Sequence, residues 1–121
     1  RPNIEPPVDI PAIHTLEHLL AVYLRSDESG WADKVIYVGP MGCRTGMYLI
    51  FKGDLSSKDV ADVITKSFEY VRNFEGIVPA TTSKECGNYL DHNLTLAKWE
   101  SKKFLDEVLY NLKDENLVYP Q

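Results

Sequence analysis

The run Ile13-His14-Thr15-Leu16-Glu17-His18-Leu19-Leu20-Ala21-Val22-Tyr23-Leu24-Arg25 contains neither glycine nor proline and, Thr15 and the motif's own polar residues aside, is made of good helix material. Pro11 stands just ahead of it, where a helix start tolerates a missing N–H. On a helix His14 and His18 are four residues apart, so both imidazoles project from one face, one turn apart. Two rings need that spacing to reach one metal ion. Glu17 lies about 60° round the helix from His14, because three steps nearly close a turn. It can lean over the same site without being a ligand. A histidine pair at this spacing is more often a surface or core pair. A glutamate between them, in a helix rich in Leu, Val and Ala, is what raises metal chemistry as a reading.

The rest of the chain bounds that reading. At 121 residues it is expected to form one domain, spanning 1–121. Its 44% hydrophobic and 26% charged residues are ordinary globular composition. A net charge of −5 without any Lys/Arg run argues against nucleic acid or an anionic membrane as partner. No apolar stretch approaches a membrane span, and the start carries no signal-peptide pattern. A cytoplasmic protein is therefore expected, and the single sequon Asn93-Leu94-Thr95 carries no weight. The two cysteines, Cys43 and Cys86, form no motif with each other and read as reduced thiols. The chain opens at Arg1-Pro2-Asn3 without methionine, so a trimmed form lacking its natural N-terminal segment is expected.

Pro2, Pro6, Pro7 and Pro11 make residues 1–12 an extended lead-in. A helix is predicted over 13–25, then a turn at Ser26-Asp27-Glu28-Ser29-Gly30. Lys34-Val35-Ile36-Tyr37-Val38 reads as a short strand that Gly39-Pro40-Met41-Gly42 breaks, and Met47-Tyr48-Leu49-Ile50-Phe51 as a second strand. Ser56-Ser57-Lys58-Asp59 supplies a cap for a second helix with Val60, Ala61, Ile64, Phe68 and Val71 as its apolar stripe, stopped by Gly76. Residues 77–92 read as a long ordered loop with a task of its own. A third helix runs from about Asn93 or Leu94 to Leu112, with Leu96, Trp99, Phe104, Val108 and Leu112 as core contacts. The tail after Lys113 is polar and frays until Val118-Tyr119. The expected class is α+β, with helices packed on a small, mostly antiparallel sheet.

Two loops hold further chemistry. Met41-Gly42-Cys43-Arg44-Thr45-Gly46 sets a thiol between glycines beside a cation, and a neighbouring guanidinium favours the reactive thiolate. The plainer alternative is a small buried residue at a strand end. Glu85-Cys86-Gly87-Asn88 holds the other thiol, with His92 six residues on. A catalytic Zn²⁺ or Fe²⁺ site needs a third protein ligand and one open position. Cys86 suits that role and His92 competes for it.

His14-Thr15-Leu16-Glu17-His18, Pro40-Met41-Gly42-Cys43-Arg44-Thr45-Gly46 and Cys86-Gly87 with His92, in this order and spacing, resemble the signature of the S-ribosylhomocysteine lyase (LuxS) family. The likeness runs from Pro2-Asn3 to the third helix. It implies cleavage of the thioether of S-ribosylhomocysteine to homocysteine and 4,5-dihydroxy-2,3-pentanedione, the precursor of the quorum-sensing signal autoinducer-2. It also implies an Fe(II) centre, replaceable by Zn(II) or Co(II), in a cytoplasmic homodimer. Carried over, the resemblance makes His14, His18 and Cys86 the metal ligands, Glu17 and Cys43 the acid/base pair, and Arg44 the basic residue beside the thiol.

This chain departs from the pattern in two ways. Family members carry a further segment before the equivalent of Arg1, and many have Asp and Ser where Tyr37 and Gly39 stand here. Two alternatives follow. His-x-x-Glu-His is also the motif of inverted zinc peptidases, which use an acidic third ligand and leave Cys43 unexplained. A chain short of its substrate-holding residues could instead be a catalytically impaired metal-binding module.

Overall fold

The computed structural model describes residues 3–117, so Arg1, Pro2 and Val118-Tyr119, where the fraying was expected to end, lie outside the described residues. The first helix, α1, spans Ile10–Leu24. It begins earlier than the sequence suggests because Pro11 sits inside its first turn, where proline's fixed φ is already helical. Its buried residues Ala12, Leu16, Leu19, Leu20, Tyr23 and Leu24 recur three and four apart and make it the central rod of the molecule. Leu19, Leu20 and Leu24 are wholly shielded from solvent.

Two strands follow, β1 (Val35–Pro40) and β2 (Met47–Phe51), paired antiparallel. β1 runs past the expected break: Gly39 pairs with Tyr48 and Pro40 with Met47. Proline cannot donate to a ladder, so it stands at the strand's last position, where the chain leaves for the loop. The register slips between Val35 and Tyr37, which turns Ile36 out of step. Val38 packs into the core with Leu49 and Met47 against it, and the opposite face leaves Tyr37, Tyr48 and Ile50 exposed.

The second helix, α2 (Ser57–Asn73), starts where the serines place it. The Asp59 carboxylate accepts from the Ser56 backbone N–H at 2.7 Å and from its hydroxyl at 3.0 Å. Those two donors hold the Asp59 pKa below the usual carboxylate range. Phe68 and Val71 are buried as expected, with Val63 and Ser67 beside them, while Val60 and Ile64 pack on the rim of the core.

The third helix, α3 (Leu94–Glu107), is shorter than expected, and a single turn of 3-10 helix over Leu109–Asn111 takes up the rest. It also buries a different face. Ala97, Ser101 and Leu105 are shielded, whereas Trp99 is 54% and Phe104 37% exposed. α3 packs against both α2 and α1, and the small residues Ser67 of α2 and Ala97 and Ser101 of α3 are wholly buried. Close approach of two backbones favours small side chains there and puts the aromatics at the edges. α1 packs against α2, α3 and β1, so the three helices lie together against a two-stranded sheet in an α+β fold. No helix among the described residues is long and apolar enough to cross a membrane.

Candidate metal centre

His14 and His18 sit one turn apart on α1, partly buried, and each gives its Nδ1 proton to a backbone carbonyl of the segment between α2 and α3. His14 donates to Asp91 O at 2.7 Å and His18 to Pro79 O at 2.8 Å. A carbonyl can only accept, so each neutral ring carries its proton on Nδ1 and leaves a lone pair on Nε2. Cys86, from the same segment, brings its Sγ to 3.4 Å from His14 Nε2. The donor atoms of His14, His18 and Cys86 all lie within 4.8 Å of one another. Two imidazoles with orientation fixed from behind, plus one thiol, suit a divalent transition-metal ion, and three protein donors would leave a coordination position open.

His92 stands differently from Cys86. His92 stacks on His14 with ring centroids 4.1 Å apart, and its Nδ1 lies 3.0 Å from Thr15 Oγ1. Burial, then the nearby His14 and His18, lower the His92 pKa against a smaller opposing effect of Asp91. Nor does a carboxylate complete the site. Asp91 Oδ2 is 3.9 Å from His14 Nδ1, on the side away from Nε2, and its carbonyl is the closer partner. The acidic third ligand of the peptidase alternative has no counterpart in this cluster.

Glu17 is half-buried one residue before His18 and lines a shallow cleft with His18, Val38, Pro79 and Ala80. Cys43 lies exposed in the loop between the strands. Its Sγ is 2.9 Å from Thr45 Oγ1, and the thiol pKa is lowered by the Thr45 hydroxyl first and the Thr45 backbone second, against burial. The guanidinium expected to do this is engaged elsewhere. Arg44 Nη1 donates to Val8 O at 3.2 Å, and Val8 N–H donates to Arg44 O at 3.0 Å. Arg44 takes a φ of 61°, which carries its side chain from the thiol to the lead-in. Thr45 is thus a participant that the sequence reading passed over, although a hydroxyl two residues beyond a thiol in a turn is a visible signal. The carbonyls of Pro79 and Asp91 gave no signal, since any residue supplies one.

Tyr37 and Gly39 turn out to be coupled. The Tyr37 ring lies over Gly39, where a Cβ would fall 2.8 Å from Tyr37 Cε1 and nearer still to its hydroxyl. A serine at 39 would require the half-exposed Tyr37 ring to swing aside.

The sequence model of the LuxS family, described as S-ribosylhomocysteinase, matches residues 1–115. The chain is 52% identical to the S-ribosylhomocysteine lyase of Phocaeicola vulgatus, over 98% of this chain and 73% of that protein. It is 48% identical to that of Clostridium beijerinckii, over 99% of this chain and 75% of the relative. For Borreliella afzelii the identity is 53%, over 98% and 74%. With a fold, a cluster of donors and a sequence match that all coincide over nearly its whole length, the chain belongs to the LuxS family.

Proposed function

We propose that this protein is a carbon–sulfur lyase that cleaves the thioether of S-ribosylhomocysteine, releasing homocysteine and 4,5-dihydroxy-2,3-pentanedione, the precursor of autoinducer-2. The observation that carries the reading is the meeting of His14, His18 and Cys86 within 4.8 Å in a chain half identical to proteins of that name. These three residues would hold Fe(II), with Zn(II) or Co(II) as substitutes. When bound, such an ion supplies Lewis acidity, drawing electrons from a sugar carbonyl and making the neighbouring C–H acidic.

The chain's own residues move the protons. The Cys43 thiolate and the Glu17 carboxylate alternate in removing a proton from one sugar carbon and returning it next door. Two such shifts walk the carbonyl along the sugar until the homocysteine sulfur stands β to it. A last proton abstraction then breaks the C–S bond, and the sulfur leaves with its electron pair and takes up a proton. Thr45 favours the thiolate form of Cys43 by hydrogen bonding to it. Arg44 holds the loop to the lead-in at Val8 and so fixes where Cys43 is carried.

The same reading makes 1–121 a single lyase domain, working in the cytoplasm as a homodimer, with neither nucleic acid nor membrane as partner. The test is thiol release from S-ribosylhomocysteine by anaerobically purified protein whose metal content has been measured. Release that follows metal loading supports the lyase. Metal bound without release would leave a metal-binding module, and peptide cleavage would return the peptidase.

A further inference from the structure

Residues 91–93 cross the first turns of α1, and each is put to use there. Asp91 gives its carbonyl to His14 Nδ1, and Asn93 gives its backbone N–H to Thr15 Oγ1 at 3.0 Å. Between them, His92 lays its ring on that of His14, 22° from parallel at 4.1 Å between centroids. The same ring meets His18 at 4.7 Å and 66°. His14 and His18 meet edge to face at 4.5 Å. Three imidazoles therefore form one closed cluster in which two present donors toward Cys86 and the third does not.

His92 is itself anchored. Thr15 Oγ1 lies 3.0 Å from Pro11 O, which can only accept, so the single hydroxyl proton has its acceptor. His92 Nδ1, also 3.0 Å from Thr15 Oγ1, then carries the N–H and donates. That leaves the lone pair on Nε2, which is buried without a partner among the described residues. An unsatisfied buried acceptor destabilises the fold, and leucine or phenylalanine would fill the space without one. Imidazole is a poor choice for filling space alone. It is a good one for a group that must hold Thr15 by one edge and present a flat face to His14.

We propose that His92 is the positioning residue of the metal centre: anchored through Thr15, its ring sets the plane in which His14 presents Nε2 toward Cys86. The inference rests on His14, His18 and Cys86 being the ligands. The bond to Cβ and the Asp91 carbonyl together hold one edge of the His14 ring, and the motion left to it is a tilt about that edge, the pivot. A second ring stacked on its face removes the pivot. Ligand orientation by groups behind the first shell is a general way to raise metal affinity.

Cobalt(II) added to the full chain is the probe, because its d–d bands report coordination geometry and its sulfur charge-transfer band reports the thiolate. His92→Ala should weaken cobalt binding about tenfold or more and move the d–d bands, while the charge-transfer band remains. His92→Phe keeps the flat ring but loses the anchor on Thr15, and should recover part of the affinity and bring the bands back toward the parent positions. His92→Gln can reach Thr15 but has no ring, and should recover neither. Parent-like affinity and spectrum in the alanine variant would overturn the proposal. So would phenylalanine and glutamine behaving alike, a comparison that stands even if the alanine variant fails to fold. Cys86→Ala separates the layers: if it keeps cobalt affinity and the charge-transfer band, the ligand assignment itself fails. If it loses both while the His92 variants match the parent, only the role of His92 falls.

Discussion

At the scale of single residues, the proposed function divides the centre into groups that would hold the ion and groups that would react. Cys43→Ala and Glu17→Gln should keep their metal while homocysteine release falls by about 10² or more, the usual contribution of one acid/base group. Metal analysis and thiol release on the same sample check this, and near-normal turnover in either variant removes that residue from the mechanism. Thr45 allows a sharper statement about pH. Its hydrogen bonds lower the Cys43 pKa, so the thiolate persists to a lower pH than an ordinary thiol would allow. Thr45→Val removes the hydroxyl and should move the pH midpoint of Cys43 alkylation upward, toward the ordinary thiol. An unchanged midpoint would place the control of that thiol elsewhere. The sequence had pointed to Arg44 for this task, because adjacency in a chain is easily read as adjacency in space. A positive φ at Arg44 undoes that, and backbone twist of this kind leaves no mark in residue order.

At the scale of elements, periodicity was legible where one face decides burial and misleading where size does. α1 shows its three- and four-residue repeat openly, and β2 matches its aromatic and β-branched run to the residue. In α3 the large residues Trp99 and Phe104 drew attention, but the helix buries Ala97, Ser101 and Leu105. Close packing selects small residues, and a hydrophobic count undervalues them. The helix does begin where expected, and Asn93 caps it. Asn93 accepts from Leu96 N–H at 2.9 Å with its side chain. Asn93→Ala should therefore cost about 1 kcal/mol of stability, measured by denaturant unfolding. No loss would mean that α3 is held by its packing alone. The site shows a similar division. The histidine pair and both thiols could be read from spacing, which alone left Cys86 and His92 open; the resemblance chose Cys86, and it is Cys86 whose sulfur lies within 4.8 Å of the donor nitrogens of both histidines. Both follow α2 in one irregular segment, and only the path of that segment over α1 decides which side chain reaches Nε2.

At the scale of the whole molecule, the outer face of the sheet stands out. Ile36 is 58%, Tyr48 52% and Ile50 47% exposed, side by side with Tyr37. An apolar surface of this kind on a sheet is characteristic of a contact with further chain. If the proposed homodimer uses it, sedimentation should show a species of twice the chain's mass, and Tyr48→Lys with Ile50→Lys should shift it to monomer. Dimer unaffected by these changes would move the contact to another face.

Between Asn73 and Leu94 the chain has neither helix nor strand, yet it is fastened to α1 at Pro79, Cys86 and Asp91, each time through His14 or His18. An ion shared by His18 and Cys86 would close a long loop of chain, as a disulfide does, and loops of that size contribute on the order of 4 kcal/mol when cross-linked. Chelator-treated protein should then be cut by trypsin at the exposed Lys84 well before the loaded form, and equal cutting would show that the fastening stands without the ion. The centre would thus act as a clasp as well as a catalyst. In a cell, that would couple the protein's lifetime to its metal supply: starved of the ion, the molecule would be cleared by proteases instead of lingering as an idle enzyme.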